Sequence, residues 1–506
     1  MCPRFTRQFL AGGAPRDDPG TGAAFGWSSL FRFLSYRVSS SRWATVTGMT
    51  QRVDTLLIFG ASGDLTARLL LPGLGQLLSD QPDRHLELIG VGSADWSDDD
   101  WRKVVTSSFG EVTASGAAVD ALVAGTRYVK ADVTDADALT KVLGMAAGTP
   151  AIYFALPPAV AAQVVVTLQG VDFPSGLTLA LEKPFGMDVP SAEALNGELA
   201  KLVPENQIHR VDHFLGRSTV FNILGLRFAN RIFEPVWNAE HIAEIAIVYD
   251  EQLGLEGRAG YYDKAGALID MIQSHLLQVM AVLAMEPPST LGQDDLRDAK
   301  EIVLRATHLW NDDPKESSRR ARYSAGSIDG RQLPSYADEQ GVDPARETET
   351  LAEVTLEVAT WRWKGVPITL RSGKALGQRR REIVVTFKPA QQLPVGLTGA
   401  NSPTVLRIYL APDAMSLELD INGPGDPYEL ERVSLDATFG DGQLLAYREV
   451  LAGILDGDPT LSVRGDSAVE GWRILAPVIA AWHGDEVPLE EYPAGSEGPA
   501  DWRPIG

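Results

Sequence analysis

The chain has a single cysteine, Cys2, in 506 residues, so it cannot close an internal disulfide and nothing in it asks for an oxidising compartment. Positive charge is scarce as well: 45 Lys and Arg stand against 67 Asp and Glu, a net charge of −22. Nucleic-acid binding needs a surplus of cations on one face. No such partner is expected, and an anionic substrate has to meet a local basic pocket. No uninterrupted apolar run reaches membrane-spanning length. Together these absences predict a cytoplasmic protein with neither membrane nor nucleic acid as a partner. Histidine is also sparse, with seven in the chain.

Hydrophobic content of 44% and charged content of 22% are ordinary for a globular protein, and the length suggests two or more domains. Residues 1–48 differ from the rest, with six arginines against Asp17 and Asp18. Such an acid-poor leader has the composition of a targeting segment, but its apolar stretch is too short and broken for a secretory signal. A disordered tail, or a true start at Met49, is the expectation.

From residue 54 short apolar runs alternate with helical stretches. Residues 55–59 (T-L-L-I-F), 86–91, 151–155 and 177–181 read as buried strands, and 69–78 and 136–143 as helices. This alternation predicts a doubly wound parallel sheet, a Rossmann-type coenzyme domain over 49–212. Beyond it, over 213–506, apolar residues recur at every second position: Ile245, Ile247 and Tyr249; Val354, Leu356 and Val358; Leu406, Ile408 and Leu410; Leu417, Leu419 and Ile421. That pattern predicts a larger α+β domain with a mainly antiparallel sheet, one face covered by an apolar helix around 267–285. Residues 311–350 are polar and are expected to form a long surface excursion.

Three segments carry chemistry. Gly60, Ala61, Ser62, Gly63, Asp64 and Leu65 follow the first strand and open a helix, where a dinucleotide pyrophosphate sits on backbone N–H groups. Two glycines also suit a plain strand-to-helix turn. After the second strand, an arginine suits a 2′-phosphate and an acid suits a free ribose; the chain has Ser93-Ala94-Asp95, which leaves NADP and NAD both open. Residues 210–216, R-V-D-H-F-L-G, place Asp212 beside His213, and His275 lies downstream in I-D-M-I-Q-S-H-L-L-Q. A carboxylate and two imidazoles can orient a base, remove a hydroxyl proton and hold an anion.

Taken in order, G-A-S-G-D-L at 60–65, A-L-P-P at 155–158, E-K-P-F-G at 182–186, R-V-D-H-F-L-G at 210–216, E-G-R-A-G-Y-Y-D at 256–263, D-M-I-Q-S-H-L-L-Q at 270–278 and R-S-G-K-A-L at 371–376 resemble the glucose-6-phosphate dehydrogenase family. The resemblance implies oxidation of C1 of glucose 6-phosphate to the lactone, the first step of the oxidative pentose phosphate pathway, with hydride passing to NADP or NAD. It implies His275 as base with Asp212 behind it, and His213 and Arg217 on the sugar phosphate. Lys183 is then expected between coenzyme and sugar, Glu251 and Asp270 on sugar hydroxyls, and Lys374 and Arg379 as basic residues of the second domain. A homodimer or homotetramer joined through the large sheet is also implied, with no metal. Four positions depart from the family: Phe214 for tyrosine, Arg217 for lysine, Leu69 for lysine and Ser93 for arginine. They keep two alternatives open, a related aldose or aldose-phosphate dehydrogenase using NAD, and a weakly catalytic nucleotide-binding paralogue.

Overall fold

The computed structural model describes residues 52–438, 445–502 and 505; the expectation for residues 1–48 lies outside them. The first sheet is built from β1 (Thr55–Phe59), β2 (Glu87–Gly92), β3 (Arg127–Lys130), β4 (Pro150–Phe154), β5 (Thr178–Glu182) and β6 (Ile208–Val211). Every residue of β1 and β4 is buried, as expected of strands covered by helices on both faces, and this is why they read as continuous apolar runs. The strands run parallel in the order β6-β5-β4-β1-β2-β3. Chain order therefore reverses between β1 and β4, and it is outside the C-terminal ends of strands at such a switch point that open α/β sheets bind ligands.

The second sheet uses β7 (Ile242–Asp250), β8 (Thr307–Leu309) and β9 (Ser318–Ser324), while β10 (Gly326–Ile328) and β11 (Arg331–Leu333) form a separate hairpin. It continues through β12 (Leu351–Val358), β13 (Ile368–Gly373), β14 (Arg381–Phe387), β15 (Thr398–Gly399), β16 (Val405–Leu410), β17 (Asp413–Asn422) and β18 (Glu429–Thr438). The short β19 (Ser462–Val463) joins the edge of the first sheet antiparallel to β6, and β20 (Leu489–Pro493) closes the second beside β9. Most pairs of the second sheet are antiparallel, but β7 and β13, β9 and β20, and β15 and β18 run parallel. The helical run Ala259–Ala284 is apolar and long enough to cross a membrane by length and composition, yet it is largely buried. Its middle stretch, Leu268–Leu276, packs against β12 and β13 as the covering element.

Two expectations need correction. Residues 311–350 are not one surface excursion: β9 lies inside the sheet between β12 and β20, with Ala321 and Tyr323 buried, while most of residues 324–347 stay at least partly exposed. Arginines disguise this strand. Arg320 is buried because its Nε donates to the Val487 carbonyl at 2.9 Å, so a cationic side chain lies inside with its polar end satisfied. The one-face-covered pattern also fails at β12, which is buried on both faces; Glu357 there is matched by Lys364 at 2.6 Å. On β17 and β18, by contrast, Ile421 and Leu435 remain 47% and 58% exposed.

Candidate active site

The loop after β1 is fixed by backbone geometry. Gly60 has φ +87°, and a Cβ there would lie 2.0 Å from the Ala155 carbonyl oxygen, so only glycine fits. The N–H groups of Gly60 and Ala61 both donate to the Val91 carbonyl, at 2.9 and 3.0 Å, pinning the loop across the ends of β1 and β2. Ser62, Gly63 and Asp64 are exposed, Leu65 is half-buried, and the helix begins at Asp64. A Cβ on Gly92 would meet the Tyr128 hydroxyl at 2.9 Å, so β2 too ends in close backbone approach. These bare backbone surfaces at the switch point suit a dinucleotide. Beyond β2, Ser93 is exposed, and the nearby Asp95 pairs with Lys130 at 2.9 Å. Leu69, on the helix after the loop, is 45% exposed.

The end of β6 delivers Asp212 into a tight turn before the helix Ser218–Phe228. Asp212 Oδ1 accepts the Phe214 N–H at 2.9 Å and contacts His275 Nδ1 at 2.5 Å. Both side chains are almost fully buried, at 2% and 1%. His275 arrives on the π-helical turn Leu268–Leu276, whose start is set by a left-handed kink at Gly266 and by Glu349, which accepts the Leu268 N–H at 2.8 Å. Widened turns of this kind recur at functional sites. Since Nδ1 is held by the carboxylate, Nε2 is left as the basic nitrogen.

Burial, reinforced by the Lys183 ammonium, pushes the His275 imidazole well below its ordinary 6.5. Burial also raises the Asp212 carboxyl, against the pull of His213 and the Phe214 N–H. A depressed imidazole stays neutral as pH falls, until its lowered pKa is reached. The acid limb of kcat/KM is therefore expected below pH 6.5 if His275 is the base; a limb at or above that value counts against the assignment.

Lys183 follows β5 and reaches the same π-helical turn. Its Nζ donates to the Asp270 carbonyl at 2.5 Å, to Asp270 Oδ1 at 2.9 Å and to Ser274 Oγ at 3.4 Å. Burial alone favours a neutral Asp270, but the Lys183 ammonium outweighs it and holds that carboxyl below its usual range. His213 is half-buried, stacked on Tyr447 at 5.5 Å and edge-on to His275 at 4.7 Å. Burial and the His275 imidazole depress its pKa, so at neutral pH it offers an N–H rather than a full charge. Arg217 lies alongside, its guanidinium carbon 4.4 Å from the Phe214 ring centroid.

Glu251, at the end of β7, lies between Lys374 at 2.9 Å and Arg381 at 2.6 Å. Sequence reasoning picked Arg379, which is exposed and makes no ion pair among the described residues; Arg381, two places on, points back to Glu251 because β14 begins there. Tyr447 was also missed. Its hydroxyl donates to Glu182 Oε1 at 3.1 Å, alongside that of Tyr153 at 2.5 Å. No local signal marks it, since it comes from the helix Ala446–Asp456, far along the chain from everything it touches.

A dinucleotide-binding sheet joined to a buried carboxylate–imidazole pair defines a nicotinamide-dinucleotide-dependent dehydrogenase acting on a CH–OH group. The pattern described as "Glucose-6-phosphate dehydrogenase, NAD binding domain" matches residues 57–222, and "Glucose-6-phosphate dehydrogenase, C-terminal domain" matches residues 224–504. The chain belongs to the glucose-6-phosphate dehydrogenase family. Glucose-6-phosphate 1-dehydrogenase of Bacillus subtilis is 35% identical, over 88% of this chain and 95% of its own length. That of Gluconobacter oxydans is 37% identical, over 88% and 94%. Among solved structures, a glucose-6-phosphate dehydrogenase in complex with its substrate glucose-6-phosphate aligns with a TM-score of 0.81 at 29% identity, covering 89% of this chain and 97% of that one. The enzyme from Mycobacterium avium aligns at 0.77 and 33% identity, covering 89% and 95%.

Proposed function

We propose that the protein oxidises C1 of D-glucose 6-phosphate to 6-phospho-D-glucono-1,5-lactone, the first step of the oxidative pentose phosphate pathway, as a cytoplasmic enzyme. The observation that carries this reading is the buried Asp212–His275 pair at 2.5 Å, with Lys183 paired to Asp270 on the same π-helical turn as His275. His275 Nε2 takes the C1 hydroxyl proton, and Asp212 keeps Nδ1 protonated and balances the imidazolium that forms. His213 and Arg217 hold the phosphate, the arginine through its two-pronged donor face. Lys183 stands where sugar and coenzyme meet, Glu251 and Asp270 accept from sugar hydroxyls, and Lys374 and Arg379 close the far side, with Arg381 orienting Glu251. Residues 60–65 and Ser93 line the coenzyme groove, where NADP, when bound, supplies the hydride acceptor.

Initial rates with glucose 6-phosphate, free glucose and related sugar phosphates, each with NADP and NAD, test the proposal. Reduced nicotinamide is expected with glucose 6-phosphate, and its absence with both coenzymes overturns the reading. The exposed Ser93 and Leu69, where the family carries cations, favour a second reading in which NAD serves as well as NADP. Placing a guanidinium at the end of β2 is then expected to raise the NADP-to-NAD ratio of kcat/KM in Ser93→Arg by about tenfold, the yield of one charge-assisted hydrogen bond. An unchanged ratio means that the 2′-phosphate is read elsewhere. The exposed apolar residues on β17 and β18 support self-association into a dimer or tetramer through the large sheet.

A further inference from the structure

Phe214 occupies the place where the family carries tyrosine, and its contacts give the ring a task that needs no hydroxyl. The ring is buried. It lies parallel to the His275 imidazole, 13° between planes and 4.2 Å between centroids. The same ring carries the Arg217 guanidinium carbon at 4.4 Å and leans on Tyr249 at 5.2 Å. Its backbone N–H donates to Asp212 Oδ1, the oxygen that also takes His275 Nδ1. One residue thus touches both halves of the dyad, the carboxylate through its main chain and the imidazole through its side chain.

We propose that Phe214 is a positioning residue for the base: its ring sets the plane of the His275 imidazole, and so the direction in which Nε2 faces the substrate. The inference rests on the dehydrogenase reading above and deepens it. The hydrogen bond through Nδ1 restrains rotation about the Cβ–Cγ bond only within its own tolerance in length and angle. A near-parallel ring at van der Waals distance narrows the remaining range, and the tilted contact with Tyr249 helps hold the phenyl ring in place. The negative face of the ring also suits the positive charge His275 gains when it accepts a proton. Arg217 rests on the same ring, so the group proposed to hold the phosphate and the group proposed to take the proton share one support. Reactions of positioned groups are sensitive to displacements well under the width of an atom.

The test compares Phe214→Leu and Phe214→Met, which fill the space without a flat ring, with Phe214→Tyr, which restores one. The Leu and Met variants are expected to lower kcat with glucose 6-phosphate about tenfold while KM changes little, and the Tyr variant to retain kcat. A second readout needs no substrate: the downfield proton resonance of the His275 Nδ1–H to Asp212 bond, sharp in the wild type and the Tyr variant, is expected to broaden or vanish in the Leu and Met variants. Persistence of that signal in both, or an unchanged kcat, overturns the proposal. Should the wild type fail to oxidise glucose 6-phosphate, the reaction assignment falls, and the proton resonance still decides the role of the ring. The Met variant, more adaptable in a packed site, secures the comparison if the Leu variant folds poorly.

Discussion

Replacing His275 with asparagine is expected to lower kcat by about 10²- to 10⁴-fold, the usual contribution of a positioned proton acceptor. KM for glucose 6-phosphate should change little, because the proposed phosphate ligands His213 and Arg217 lie outside the substitution. Asparagine is smaller than histidine and polar, so the contact with Asp212 can survive in part while Nε2 is lost. What disappears is the imidazole nitrogen assigned to take the C1 hydroxyl proton. Steady-state kinetics with a thermal unfolding control checks this: unchanged turnover in a folded variant refutes the assignment of the base.

The second large effect is expected at Asp212. Asparagine keeps the shape, and its Oδ1 can still accept from Phe214 N–H and His275 Nδ1–H. Its amide nitrogen then takes the place of Asp212 Oδ2, a buried atom with no hydrogen-bond partner among the described residues. The negative charge is gone, so the imidazolium that forms during proton transfer has lost its counter-ion in a site shielded from water. A fall in kcat on the order of a hundredfold or more is expected for Asp212→Asn. The sign of the pH effect is a further check. Without the carboxylate, His275 protonates less readily, so the acid limb of the residual activity moves to lower pH. A limb that moves upward contradicts this account of the pair.

Several elements were legible in the sequence for a simple reason. β1, β4 and β5 are buried on both faces, so their apolar residues are consecutive and visible without knowledge of their neighbours. Gly60 announces the coenzyme loop because its φ of +87° is a property of one residue and its chain neighbours. β9 was hidden because Arg320 and Arg322 end on carbonyl and carboxylate oxygens from other parts of the chain and Arg319 lies over the Trp502 ring, so polarity was taken for exposure. Arg381 was missed because counting along a chain does not show where a strand begins, and it is the first residue of β14, with a guanidinium that reaches Glu251.

The chain by itself determined its class: strand–helix alternation followed by a period of two, a glycine-bearing loop at the end of the first strand, and an acid and two imidazoles among few histidines. These are local properties, written in consecutive residues through backbone geometry and the burial of apolar side chains. Only the tertiary structure decided which partners meet. Asp212 and His275 are 63 residues apart and come within 2.5 Å because a kinked helix packs across the second sheet and presents one turn to the end of β6. Tyr447 reaches Glu182 from 265 residues away, and the ring of Phe214 finds the face of His275. Such contacts depend on how helices seat on sheets, a geometry fixed by the packing of the whole core and not by any short stretch of chain.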